Sequence, residues 1–543
     1  MDDFPLVPTN DERKFYYHGF PSRPELVARS STHTWSRRMQ GWLPVEKTVG
    51  AVGEHSIVPK WNDETGPDSL RQQVINILHS EQADWHTIDI LRIGYVDKDV
   101  FPVILCIAVG QGSSTWEQGI SLAMQCRTVL EQHGLHDVHC EVRRSHVFNL
   151  TRRKFPCVIH QDNFASGTLL HPLSDQLGTS IAASDWPTRE GTKGLYLRRK
   201  PCSAALATTD ADAEEEVYVL TCRHVCFDES EREEWLPGSI AAPEKKVVQP
   251  GETTFTMKAK EIEAVKNSLQ SEGTNANEWG STVFWDDSRK QKELDRENKM
   301  LRDSTQAFEL FKKRQELESR IIGSIPYTRA YKIRGNQELS DWCLIRLDPE
   351  AHENISALAN RVLIDGEDLY DRFRLKNSAT KIAMLDDDHA LRLRGMATLA
   401  ELTQTLDSRH ATLNSFSRQD SKTFFVGKRG RSSGLTFGEV NQVKSVRRKV
   451  CDGTPTLIAT ELCILADARK VDASFSRCGD SGACVFDIAG RVVGTVTSGV
   501  GRDTILIGED DFDLDRAVDI TYVTPLEWSL QDMESCGLMM DIL

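Results

Sequence analysis

From about residue 165 onward the chain is written in short apolar runs separated by turn residues, and this texture limits its fold more than any other feature. Gly178-Thr179-Ser180-Ile181-Ala182, Gly194-Leu195-Tyr196-Leu197 and Glu216-Val217-Tyr218-Val219-Leu220 are too short for helices and read as strands. Strands of the same kind recur from 424 to 525, so the spacing predicts an all-β double unit over 165–543. A helical hairpin interrupts it at about 256–322. Ile262, Val265 and Leu269 share one face of its first helix, and Leu294, Leu301 and Phe308 repeat every seven residues in the second. Its basic Lys312-Lys313-Arg314 lies among glutamates and reads as a solvated face. Residues 351–420 read as a helical linker.

Residues 1–164 read as a small α/β domain with an irregular lead-in, in which Trp35, Trp42 and Trp61 are candidate packing anchors. A helix follows Asp68-Ser69, and strands follow at Ile88–Ile93 and Phe101–Val109. Ser114-Thr115-Trp116-Glu117 reads as a capping box for a helix ending at Gly134, and Val138–Val142 supplies a third strand. His133, His136 and His139 with Cys140 are the nearest approach to a metal set in this region. Gly134 and the strand after it scatter them, so they read as surface histidines.

Charge and composition exclude several functions. With 81 acidic against 66 basic residues, the net charge of −15 offers no field for a phosphate backbone. The longest apolar run, Phe101–Val109, is about half of what spans a bilayer. The start Met1-Asp2-Asp3-Phe4-Pro5 lacks the basic and apolar regions of a signal peptide. The 13 cysteines therefore read as reduced core thiols of an intracellular, cytoplasmic protein without nucleic-acid or membrane partners. The N-terminal domain and the hairpin are the surfaces offered to a protein partner.

Three short segments carry chemistry. Cys478-Gly479-Asp480-Ser481-Gly482 precedes an apolar strand and places a hydroxyl where flanking backbone N–H groups converge. Thr221-Cys222-Arg223-His224 ends the strand that begins at Val217, and Asp341 stands just before the apolar Trp342–Leu347. A serine hydroxyl is a poor nucleophile at neutral pH. It needs an imidazole as base, and the imidazole needs a carboxylate to fix its tautomer. His224, Asp341 and Ser481 supply all three, in the chain order His, Asp, Ser.

These segments resemble the catalytic blocks of chymotrypsin-fold serine proteases, over about residues 190–530. The resemblance implies a double β-barrel with its site in the cleft between barrels. It also implies a Ser481 nucleophile, a His224 general acid/base, an orienting Asp341, and an oxyanion hole from the N–H groups of Gly479 and Ser481. Lys428-Arg429-Gly430-Arg431-Ser432-Ser433-Gly434 is similar to the Gly-Arg-Thr-Thr-Gly segment of bacterial α-lytic-type proteases, which makes Arg431 the expected partner of Asp480. On that reading the uncut chain is fully active and needs no new N-terminus. Val493–Gly499 resembles the strand on which substrate backbone pairs, through Thr497, Ser498 and Gly499, with the register open by one residue. Phe475, six residues before Ser481, does not favour cleavage after Lys or Arg, although Asp472 is nearby.

There are departures from the family pattern. Ala483 replaces a glycine, Arg223 a small residue, and Cys222, Cys226, Cys478 and Cys484 are offset from the family's disulfide positions. The whole arrangement is similar to intracellular trypsin-like proteins of filamentous fungi. The expected function is a serine endopeptidase acting on protein or peptide substrates through an acyl-enzyme, with no metal or organic cofactor. The competing reading keeps the fold without the chemistry, as a pseudoprotease serving as a binding or regulatory module.

Overall fold

Two large sheets organise the chain. The structure is a computed structural model that describes residues 4–543 apart from 64, 111, 113, 151–168, 201–215, 240–243, 276–286, 336, 365–389, 404–423, 451–455, 467–473 and 502–517. Among the described residues the protein is mostly β, with a few helices.

The first sheet has eight strands. Its order is Gly191–Thr192, Ser180–Ala183, Lys246–Val248, Ile321–Thr328, Cys343–Leu347, Val217–Thr221, Tyr196–Arg199 and Met540–Ile542. Val217–Thr221 and Cys343–Leu347 pair antiparallel with Thr221 opposite Cys343, which brings the ends of the two strands that precede His224 and follow Asp341 side by side. Both strands are buried along most of their length, as their unbroken apolar runs require.

In the second sheet six strands close into a ring. Gly434–Lys449, Phe424–Gly430, Cys484–Asp487, Val492–Gly501, Val518–Pro525 and Leu457–Ala466 pair in that order, and the last pairs back onto the first. Closure removes the exposed edges that a sheet of this size would otherwise present. Its interior is an apolar cluster that includes Val426, Val440, Leu462, Ile464, Phe475 and Val485.

The N-terminal region, which reads in sequence as a small α/β domain, continues this second sheet. Trp85–Tyr95 pairs with Gly434–Lys449 through Ile88 opposite Val446, and Val103–Val109, His139–Arg144 and Glu25–Arg29 follow in order. Val443 and Val446 pack in the same core as Trp61, Trp85 and Leu105. Buried polar groups also cross the junction: Asp89 accepts from Ser445 Oγ at 2.6 Å and Tyr522 Oη at 2.8 Å. Asp519 accepts from the Ser22 N–H at 2.8 Å.

Several local expectations shift. The helix N-cap is Thr115 rather than Ser114, because Thr115 and Gln118 form the reciprocal box and the helix runs Trp116–Gln132. Of the three tryptophans, Trp61 is buried but Trp42 is 96% exposed. The lead-in holds a helix, Asn10–Phe15, and a strand, Glu25–Arg29. The inserted helices are Glu252–Asn275 and Asp287–Lys313, stacked at their base through Phe255 and Phe311 with ring centres 5.2 Å apart. The second ends at Lys313, and Ile321 opens a strand. The described parts of 351–420 are largely not helical. They hold the paired strands Arg361–Leu363 and Ala390–Arg392, a 3₁₀ turn at Ile355–Ala357 and a short α-helix, Leu399–Thr403.

Candidate active site

Residues 224, 341 and 481 are separated by up to 257 positions in the chain, and the fold brings them together. His224 lies in the turn of helix Arg223–Cys226 that ends the strand Val217–Thr221. Its Nδ1 is 2.6 Å from Asp341 Oδ2 and its backbone N–H donates to Asp341 Oδ1 at 3.2 Å. On the other side of the ring, Nε2 is 2.6 Å from Ser481 Oγ. Ser481 Oγ also lies 3.0 Å from the Thr497 carbonyl, a second acceptor for its single proton.

All three groups are buried. Burial pushes the His224 pKa below the ordinary 6.5, against the opposing pull of Asp341. Burial alone would raise the Asp341 carboxyl, but the charge and two hydrogen bonds of His224, with Lys449 nearby, outweigh it and hold the group down at about 2. At neutral pH the site therefore holds an ionised Asp341 and a neutral imidazole. That is the protonation state in which Nε2 can accept a proton from the serine.

The backbone N–H groups of Gly479 and Ser481 converge on one acceptor. Gly479 N lies 2.5 Å and Ser481 N 3.1 Å from the carbonyl oxygen of Leu150. Gly479 has φ of +105°, and a Cβ there would fall 2.1 Å from Ser432 Oγ, so only glycine holds this N–H in place. The carbonyl belongs to a segment that sequence reasoning missed. His146–Asn149 pairs antiparallel with Val492–Gly501, with Asn149 opposite Ser498, Phe148 opposite Gly499 and Val147 opposite Val500. The Leu150 N–H donates to the Thr497 carbonyl at 3.3 Å. Leu150 itself is fully buried in the apolar cluster with Phe475, Val493 and Val496. Asn149 donates to Glu229 Oε1 at 2.5 Å and accepts from Arg447 at 3.0 Å. The chain's own strand thus lies over the Gly479–Ser481 loop.

Arg431 is not the partner of Asp480. The cation beside Asp480 is Lys428, 3.1 Å away and equally buried. Asp480 also accepts from the N–H groups of Ser432 at 2.9 Å and Arg477 at 2.9 Å, and from Ser433 Oγ at 2.6 Å. Lys428 holds the carboxyl below its ordinary range against the upward push of burial. Arg431 turns instead to Glu190, and its Nε donates to Thr254 Oγ1 at 2.9 Å, near the start of the first inserted helix. Gly430 makes room for the carboxylate: a Cβ at this position would lie 2.3 Å from Asp480 Oδ1. The carboxylate therefore packs against the strand backbone, where Lys428 reaches it two residues earlier.

Lys428→Met should destabilise the protein by about 3–5 kcal/mol at neutral pH, because it leaves Asp480 buried without a cation. A folded pKa held below the unfolded value of about 3.9 stabilises above that pH, so the pair's contribution fades as pH falls through the depressed value. Urea unfolding of the Lys428→Met and parent chains at two pH values checks this; equal midpoints at pH 7 would contradict it.

The remaining departures have local explanations. Arg223 donates to Thr328 Oγ1 at 3.0 Å and to the Glu231 carbonyl at 2.9 Å and stacks on Phe227, so its charge is engaged elsewhere than on the His224 ring. Ala483 is buried without an exposed face. Cys222, His224 and Asp341 are close enough together to suggest a metal. Yet the Cys222 thiol donates to the Val496 carbonyl at 3.2 Å, and burial raises its pKa well above the ordinary value. A protonated thiol is a poor ligand, and the His224 and Asp341 atoms already bond each other, so the set fits a core thiol beside a polar triad. Among the surface histidines, His139 contacts Ser30 and His133 contacts Gln73. Asp472 lies outside the described residues.

No protein-family model and no curated protein matches the chain. Among solved structures it is similar to a glutamic-acid-specific serine protease described as using a histidine triad in substrate binding. That likeness is 10% in sequence identity with a TM-score of 0.27, over 66% of this chain and 97% of the other. Among the described residues, no helix is long and apolar enough to cross a membrane.

Proposed function

We propose that the protein is a serine endopeptidase of the chymotrypsin type, built as a double β-barrel with an inserted helical hairpin. The observation that carries this reading is the arrangement around one carbonyl. Two backbone N–H groups point at the Leu150 oxygen, while a hydroxyl bonded to a buried His–Asp pair lies beside them. Ser481 attacks the acyl carbon as His224 takes its proton. Asp341 stabilises the imidazolium, and the N–H groups of Gly479 and Ser481 hold the charge that develops on oxygen. His224 then passes the proton to the leaving amine, and water hydrolyses the ester by the reverse sequence. Thr497, Ser498 and Gly499 align the peptide backbone, and the pocket that receives Leu150 selects an apolar side chain. No step requires a metal or an organic cofactor.

Because the chain's own strand fills the cleft, the test uses Leu150→Asp, which puts a charge into an apolar pocket and expels the strand. A fluorophosphonate probe should label this variant once, at Ser481. The labelling rate should rise with pH and reach half its maximum below 6.5, because the neutral form of a ring whose pKa is lowered is the active one. A folded variant that takes up no probe would leave the fold as a binding module without catalysis.

A further inference from the structure

We infer that the chain cuts itself between Leu150 and Thr151 and keeps the new Leu150 carboxylate in the cleft. This rests on the peptidase reading and names its first substrate. A segment crossing a groove by chance has no reason to meet every element of a peptidase site at once, and this one does. Its backbone adds an antiparallel strand to Val492–Gly501 over four residues. Its last N–H finds the Thr497 carbonyl, and its last carbonyl takes both N–H groups of the Gly479–Ser481 loop. The side chain next to the reacting carbonyl fills an apolar pocket. The one before it, Asn149, is held between the Glu229 carboxylate and the Arg447 guanidinium. The recognised sequence is thus Val-Phe-Asn-Leu, ending at the bond to be cut.

The step balances within the chain and water. A bond forms from Ser481 Oγ to the Leu150 carbonyl carbon, and the serine proton moves to His224 Nε2. The bond from that carbon to the Thr151 nitrogen breaks, and this nitrogen takes the proton as the new amino terminus. Water then cleaves the ester, leaving a carboxylate on Leu150 and a free Ser481. Cleavage does not release the N-terminal part. It remains joined through the shared sheet at Ile88 and Val446 and the buried bonds of Asp89 and Asp519. A product held at such high effective concentration inhibits the enzyme until a competing peptide or a change in that junction displaces it.

Purified wild-type chain and Ser481→Ala are incubated side by side and followed by denaturing electrophoresis and intact mass. The wild type should yield one fragment ending at Leu150 and one beginning at Thr151, the two eluting together in size exclusion, while Ser481→Ala stays whole. The rate should not change on tenfold dilution, and Leu150→Asp should slow cutting at this bond by about two orders of magnitude or more. Wild-type chain that stays whole while Leu150→Asp takes up the fluorophosphonate would overturn self-cleavage and leave the peptidase standing. Absence of both would overturn both. Cutting that persists in Ser481→Ala, or that scales with concentration, would also overturn it.

Discussion

Ser481→Ala, introduced into the Leu150→Asp chain whose cleft is open, should lower kcat for a fluorogenic peptide ending in Asn-Leu by about 10⁶-fold. Removing one oxygen removes the nucleophile and leaves the ring and carboxylate, 2.6 Å apart, with nothing to activate. The residual rate should still exceed that in water by about 10³–10⁴-fold, because the N–H groups of Gly479 and the residue at 481 continue to bind the developing oxyanion. KM should change little, since the strand Val492–Gly501 and the apolar pocket are untouched. A loss of less than tenfold would mean that another group does the chemistry, and the assignment of Ser481 would have to be abandoned.

Asp341→Asn should cost about 10⁴-fold in kcat with only a small change in unfolding midpoint. The carboxylate accepts from Nδ1 and from the His224 backbone N–H. An amide in its place can keep the backbone bond through its oxygen, but it turns an N–H toward Nδ1. Nδ1 must then be the unprotonated nitrogen, and Nε2 carries the proton. A protonated Nε2 cannot accept from Ser481, so the nucleophile loses its base while the fold keeps its shape. Parallel measurement of kcat and of the urea midpoint separates this from simple unfolding. Equal losses in both would show Asp341 to be a structural residue instead.

How much of this was legible beforehand depends on how local each signal is. The residues that meet at the site were readable because each sits in a short pattern with its own chemistry. A histidine ends an apolar strand, an acid begins one, and a serine stands in a glycine turn. The partner of Asp480 was not readable. Lys428 and Arg431 are both basic and three residues apart, and only the tertiary packing, which sets Lys428 beside Asp480 and Arg431 beside Glu190, decides which one reaches it. Glu190 gave no sign of pairing with Arg431, because that contact spans two sheets and the foot of an inserted helix. The role of 146–150 was hidden for a similar reason. Five ordinary residues at the end of the N-terminal region become a strand only when Val492–Gly501 offers its edge.

Sequence alone determined the chemistry in reserve: a hydroxyl, an imidazole and a carboxylate in strand-end settings, a net charge of −15, and a helical interruption between runs of strands. These follow from side-chain type and short-range periodicity, which act within a few residues and survive without the rest of the chain. Tertiary structure alone decided the junctions: a six-strand ring closed by its first and last members, an N-terminal sheet continued from it, and a backbone carbonyl delivered to two N–H groups. Backbone donors and acceptors are the same at every residue, so pairing across hundreds of positions leaves no mark in the letters. It is fixed only when packing sets the register.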